Sequence, residues 1–178
     1  FVVFKPKDIV SGDFYWVEDL HLSNEAATRL VVYATADCTG HGVPGAFVSI
    51  LCSNLLKLAK SNPEVNSPGQ ALDFVNHEIN DTLNSEYSVQ EIRDGMDVAF
   101  CALDLEAMIL YFAGAKNGVI IIRKGEIIQY KGNRKAIGNT ISKDHDLYTT
   151  HEIKIEKDDI IYTFTDGIVD QFGGPLGK

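Results

Sequence analysis

The chain has 178 residues, 45% of them hydrophobic and 23% charged, with a formal net charge of −9. That is the size and mix of one globular domain with a real core. The acid excess excludes nucleic acid, which needs a concentrated basic face, and direct attachment to an anionic membrane surface. Wholly apolar runs are short, so the reading contains neither a membrane span nor a cleavable signal peptide. Cys38, Cys52 and Cys101 are odd in number and lack CxxC spacing. They read as small buried hydrophobes in a reducing cytoplasm.

The opening "FVVFKPKDIVSGDFYWVEDL" reads as an extended stretch, a Lys-Pro break, and a strand behind Gly12 and Asp13. "RLVVYATADC" is apolar on nearly every residue, the pattern of a strand buried on both faces. From Val43 to about Ala59 the spacing predicts a helix with Phe47, Ile50, Leu51, Leu55 and Leu58 on its stripe. A second helix starts with Ser67 as N-cap and Pro68 at the first turn, and carries Ala71, Leu72, Val75, Ile79 and Leu83. Thereafter the pattern is β. One hairpin turns at Glu106-Ala107, a second at Lys124-Gly125, and after a polar loop two more strands turn at Lys157-Asp158-Asp159. No repeat or linker composition divides the chain, so residues 1–178 are read as one α+β domain of packed antiparallel sheets with helices outside. Both ends read as cut from a longer protein, with the C-terminal part of the domain missing.

Three aspartates sit where β-structure ends or turns: Asp13 in "SGDFYW", Asp37 in "ATADCTGHG" and Asp166 in "YTFTDGIVD". A carboxylate next to apolar strands must be paired, hydrogen-bonded, protonated or bound to metal. Basic residues are scarce beside all three motifs. Helix caps or turns would explain any one of them. Taken together, they suit hard cations such as Mg²⁺ or Mn²⁺, and two such ions about 3.5–4 Å apart clamp phosphoryl groups.

"SGDFYW", "ADCTGHGVPGAF" and "FTDGIVD", in this order, resemble bacterial metal-dependent serine/threonine phosphatases of the PPM class, similar to sporulation stage II protein E. "AGAKNGVIIIR" and the approach to "FTDG" extend the resemblance over nearly the whole chain. The resemblance implies an α-β-β-α sandwich and two divalent cations, Mn²⁺ or Mg²⁺. It makes Asp37 the bridging ligand, the backbone carbonyl of Cys38 and Asp166 further ligands, and Asp13 a direct or water-mediated one. Gly40, His41 and Gly42 would shape the loop beneath the metals. Asp94 and Asp97 would serve an accessory ion or the substrate, with a turn role as the rival for Asp94. Asp170 would support the Asp166 loop or sit in solvent. Lys5 and Lys7 are the basic residues nearest the first motif, where eukaryotic members hold phosphate with an arginine; a solvated loop is the alternative role. The implied activity is direct hydrolysis of phosphoserine or phosphothreonine by a metal-activated water, in a cytoplasmic partner-switching pathway. Its substrate would be a regulator such as an anti-sigma-factor antagonist. The expected partners include an N-terminal sensor or dimerisation module, which could tether the whole protein to a membrane, and possibly a second copy. The alternatives are a non-catalytic regulatory binding module with an incomplete metal site, and a hydrolase of small phosphate esters.

Overall fold

The structure, a computed structural model, describes residues 1–6, 9–21, 29–40, 42–83, 95–138 and 147–168. Its elements run β1 (Phe14–His21), β2 (Arg29–Cys38), α1 (Gly42–Ser61), α2 (Pro68–Leu83), β3 (Met96–Asp104), β4 (Ile109–Ala115), β5 (Val119–Arg123), β6 (Glu126–Tyr130), β7 (His151–Lys154) and β8 (Ile160–Tyr162), followed by a 3-10 turn over Asp166–Ile168. Two antiparallel sheets result, one of five strands in the order β1-β2-β3-β4-β7 and one of three in the order β6-β5-β8.

The period-2 alternation of side chains along β2 and β3 divides the core in two. Val32, Ala34, Ala36 and Cys38, with Val98 and Phe100, pack under Cys52, Leu56 and Ala59 of α1 and Leu72, Val75 and Ile79 of α2. Ala99 and Cys101 point the other way and join Leu110, Phe112, Val119 and Ile121 between the two sheets, with Tyr33 packed against them. One face of β2 is fully buried and the other half-buried. The near-continuous apolar run therefore has two unequal faces, because the second sheet covers its side of the strand less completely than the helices cover theirs.

The buried stripe of α1 differs from its sequence reading. Gly45, Ser49, Cys52, Leu55, Leu56 and Ala59 are buried, whereas Phe47, Ile50 and Leu58 are 69%, 58% and 57% exposed. Small side chains on the inner face let the helix lie close to the sheet, and close approach outweighs side-chain size in selecting the buried face. By length and composition α1 also passes as a membrane span, with mean hydropathy 1.4, although its wholly apolar runs are short. In this fold it packs on α2, β1 and β2.

The start of α2 follows the sequence signals: the Ser67 carbonyl accepts from Ala71 N at 3.0 Å, and Ser67 Oγ accepts from Gln70 N at 3.4 Å. The β3–β4 and β5–β6 pairs are the two expected hairpins. The last two strands do not pair with each other. β7 adds to β4, while β8 crosses to the other sheet and pairs with β5. The turn between them is sharp, with Asp158 at φ 71°. Arg123 anchors it by hydrogen bonds to the Asp159 carboxylate at 2.7–3.2 Å and to the Lys154 carbonyl at 2.8 Å. Side-chain anchoring from β5 thus replaces a hairpin ladder.

Helix α2 also pins the loops that border the site. Asp73 Oδ1 accepts from Tyr148 N, and Asn76 Oδ1 from Gly138 N, both at 2.9 Å. Tyr148 in turn donates its hydroxyl to the Ala136 carbonyl at 2.9 Å. Asp73→Ala leaves a buried amide without its acceptor. The expected cost is about 1 kcal/mol, a fall of about 3 °C in thermal midpoint, read by calorimetry.

Candidate metal centre

The sheet register builds the site. Asp37 and Asp97 are direct cross-strand partners at the ends of β2 and β3. Asp13 lies one residue beyond the Phe14–Ala36 pair of β1 and β2, so strand alternation puts it beside Asp37. All three fall on the inter-sheet side, the face of Tyr33, Ala99 and Cys101. The 3-10 turn after β8 brings Asp166 to the same place from the other sheet. The Asp37 carboxyl lies close enough to those of Asp13 and Asp166 to feel both charges. Thr165 Oγ1 donates to Asp13 Oδ2 at 3.1 Å, tying the turn to the loop before β1. Asp13, Asp37 and Asp97 are half-buried, and Asp166 is exposed.

The electrostatics follow from that crowding. Burial, then the charges of Asp13 and Asp166, push the Asp37 carboxyl up to about 7. Burial also raises Asp97, against the pull of Lys116, whose Nζ lies 3.3 Å from Asp97 Oδ2. At neutral pH the Asp37 carboxyl therefore holds a proton part of the time, because burial and the neighbouring Asp13 and Asp166 charges oppose its ionisation.

The loop between β2 and α1 folds tightly beneath them. Gly40 and Gly42 have φ of 92° and 65°, a region that L side chains rarely adopt. Gly12 lies against this loop so closely that a Cβ there would sit 2.7 Å from the carbonyl oxygens of both Cys38 and Gly40. The Cys38 side chain points into the helix-side core, 2% exposed, where contact with Cys52 and then burial keep its thiol protonated. Only its carbonyl belongs to the loop surface. Lys5 is exposed, while Lys7, His41, Asp94 and Asp170 lie outside the described residues.

Among the described residues, no three His, Cys, Asp or Glu side chains are already set at metal-ligand spacing. The donor set nonetheless fits a hard cation: the Asp13, Asp37 and Asp166 carboxyls gather beside the Cys38 and Gly40 carbonyls, against which only a glycine packs.

The profile of the family described as stage II sporulation protein E (SpoIIE) matches residues 27–177. The chain belongs to the SpoIIE family. The SiaA-PP2C domain of Pseudomonas aeruginosa is 29% identical, with a TM-score of 0.80 over 99% of this chain and 64% of that one. The PP2C phosphatase domain of SpoIIE from Bacillus subtilis, with a fragment of its regulatory domain, is 20% identical, with a TM-score of 0.66 over 90% of this chain and 43% of that one. The RsbU and RsbW domains of Rv1364c from Mycobacterium tuberculosis are 19% identical, with a TM-score of 0.67 over 96% of this chain and 43% of that one. This chain thus spans less than two thirds of each of these structures. No protein of curated function matches it. Its two antiparallel sheets and helix pair are the fold of these PP2C phosphatase domains.

Sequence reading missed Lys116 and Thr165 beside the carboxyl cluster. Lys116, at φ 57° in the β4–β5 turn, stands across the β3–β4 hairpin from Asp97, one step beyond the Val98–Ala115 pair. Thr165 was visible as the residue before Asp166, but a hydroxyl carries no signal until its acceptor is placed.

Proposed function

We propose that this chain is a metal-dependent phosphoserine/phosphothreonine phosphatase domain acting on a regulatory phosphoprotein. The observation that carries the reading is the convergence of Asp13, Asp37 and Asp166 from three strand ends, with Asp37 held in the other two carboxyls' field. Mn²⁺ or Mg²⁺ would be held by Asp37, Asp166 and the Cys38 carbonyl, with Asp13 at their edge. Two such ions, when bound, lower the pKa of water and neutralise charge on a transferring phosphoryl group. Asp37, between the other two carboxyls, is positioned to be shared. Thr165 fixes one oxygen of Asp13 and so holds that carboxyl in place beside Asp37. Lys116 holds Asp97 in place and puts a cation at the rim. The Cys38 thiol is turned away and protonated, so it is not the nucleophile, and a metal-activated water takes that role in this reading.

The SpoIIE and RsbU–RsbW neighbours support a place in a partner-switching pathway, with an antagonist-like phosphoprotein as substrate and a separate sensor or dimerisation module as controller. The test is release of phosphate from a phosphoserine peptide, with nucleotides as competing substrates. Turnover should require added Mn²⁺ or Mg²⁺, stop with chelator and favour the peptide. Metal-loaded protein that hydrolyses no phosphoester overturns the reading and favours a regulatory binding module of the same fold.

A further inference from the structure

Beside the carboxylate cluster a pocket of about 390 Å³ opens, and its charged lining is entirely basic: Lys116, Lys131 and Arg134, with Gln129 and Asn133 between them. All three cations are exposed in a chain of net charge −9. Lys131 and Arg134 have no ion-pair partner among the described residues. Lys116 belongs to both places, lining the pocket while its Nζ meets Asp97 at 3.3 Å.

The pocket is built on fixed backbone. Lys116 N donates to the Asn133 carbonyl at 2.7 Å, and Asn133 N to the Gly114 carbonyl at 2.8 Å. Gly118 and Gly132 pack so tightly that a Cβ would fall 2.6 Å from the Tyr130 and Gly114 carbonyl oxygens respectively. The loop carrying Lys131 and Arg134 is therefore held to the end of β4, one residue from Lys116. A rigid frame holding like charges together leaves Lys131 and Arg134 uncompensated until an anion enters.

Resting on the phosphatase reading, we propose that this pocket receives an acidic side chain of the phosphoprotein substrate, selecting phosphosites with Asp or Glu close by. A pocket of this volume is on the order of 10 Å across, which extended chain covers in about three residues. Because Lys116 both lines the pocket and meets Asp97, the favoured carboxylate stands within a few residues of the phosphorylated Ser or Thr. Exposed lysine and arginine suit a carboxylate that must be released after each turnover, because such pairs are individually weak and screened by salt.

The experiment compares p-nitrophenyl phosphate, a neutral phosphoserine peptide, and the same peptide with Asp three residues to either side. The acidic peptide should show a KM about tenfold lower than the neutral one, the effect of two exposed charge pairs. The Lys131→Ala/Arg134→Ala variant should lose that difference and keep its rate on p-nitrophenyl phosphate. Raising salt from about 50 to about 300 mM should erase the preference in wild type. Equal KM values for the two peptides, or a variant that keeps the preference, overturn the inference. Fluorescence anisotropy of the labelled peptides on metal-free protein gives a second readout, with the same tenfold preference expected and the same loss in the variant. Absence of turnover on all three substrates defeats the phosphatase reading, whereas turnover without charge preference defeats only the pocket.

Discussion

Asp37→Asn should lower metal-dependent phosphate release about 100-fold or more, and at the same time make the metal-free protein more stable. The first effect follows from removing the carboxylate at the centre of the cluster, since even groups one step removed from a metal cost about 10–100-fold when deleted. The second follows from the Asp37 carboxyl's rise to about 7, caused first by burial and then by Asp13 and Asp166. An unfolded aspartate ionises near 3.8. Between these values the folded chain holds a proton that the unfolded chain has released, so stability falls as pH rises through that window. Above about 7 the ionised Asp37 carries its full penalty, and below about 4 the penalty vanishes. Asparagine never ionises and escapes it. At pH 8 the metal-free variant should unfold about 3 °C above wild type, equivalent to about 1 kcal/mol for a half-exposed, solvent-screened group. Adding Mn²⁺ should reverse the order, because only wild type gains the full stabilisation of a bound ligand. Thermal scans of both proteins at pH 5 and pH 8, with and without metal, read all four comparisons. Undiminished turnover in the variant would remove Asp37 from the site, and a variant no more stable than wild type at pH 8 would show that the cluster is not strained.

The carboxylates were legible in the sequence because each stands where a strand pattern stops, a position where a turn residue would do as well. What the sequence could not supply was their common face. Asp13 and Asp37 meet because β1 and β2 pair in the register that sets Phe14 opposite Ala36, and a slip of one residue would send them to opposite faces. Long-range partners were illegible for the same reason. Lys116 reaches Asp97 only after β4 has folded back on β3, and basic residues looked scarce because scarcity was judged along the chain. On α1 the large apolar side chains suggested one face and the small ones determined another. Phe47, Ile50 and Leu58 remain outside because Gly45, Ser49 and Cys52 allow the closer approach. The turn at Asp158 carried its own sequence signal, but no local pattern tells whether two strands joined by a turn share a sheet. Arg123 settles it from a third strand.

Two glycines flank the aspartates of the site, and alanine in their place should have opposite outcomes. Gly167 follows Asp166, and a Cβ there meets nothing nearer among the described residues than Thr165 Oγ1 at 3.9 Å, an ordinary contact. Gly167→Ala should keep turnover within about threefold, as a surface substitution without a steric conflict does. Gly12 precedes Asp13, and its Cβ would lie 2.7 Å from two backbone oxygens, Cys38 O and Gly40 O. Neither can swing aside as a side chain would. Gly45, whose own Cβ would lie 2.5 Å from the Gly40 carbonyl oxygen and 3.3 Å from Gly12 Cα, closes the space on the other side. The added methyl must therefore push the loop before β1 away from the loop after β2, separating Asp13 from Asp37 and the Cys38 carbonyl. A displacement of order 1 Å between groups that must act together costs about 100-fold in rate. Overpacking adds about 1–3 kcal/mol of lost stability. Gly12→Ala should thus remain folded by circular dichroism, melt several degrees lower and lose about 100-fold in metal-dependent turnover. Its apparent Mn²⁺ affinity should fall with it, read by titrating the metal against thermal midpoint. Wild-type turnover from Gly12→Ala would mean that the contact between the two loops does not set the geometry of the carboxylates.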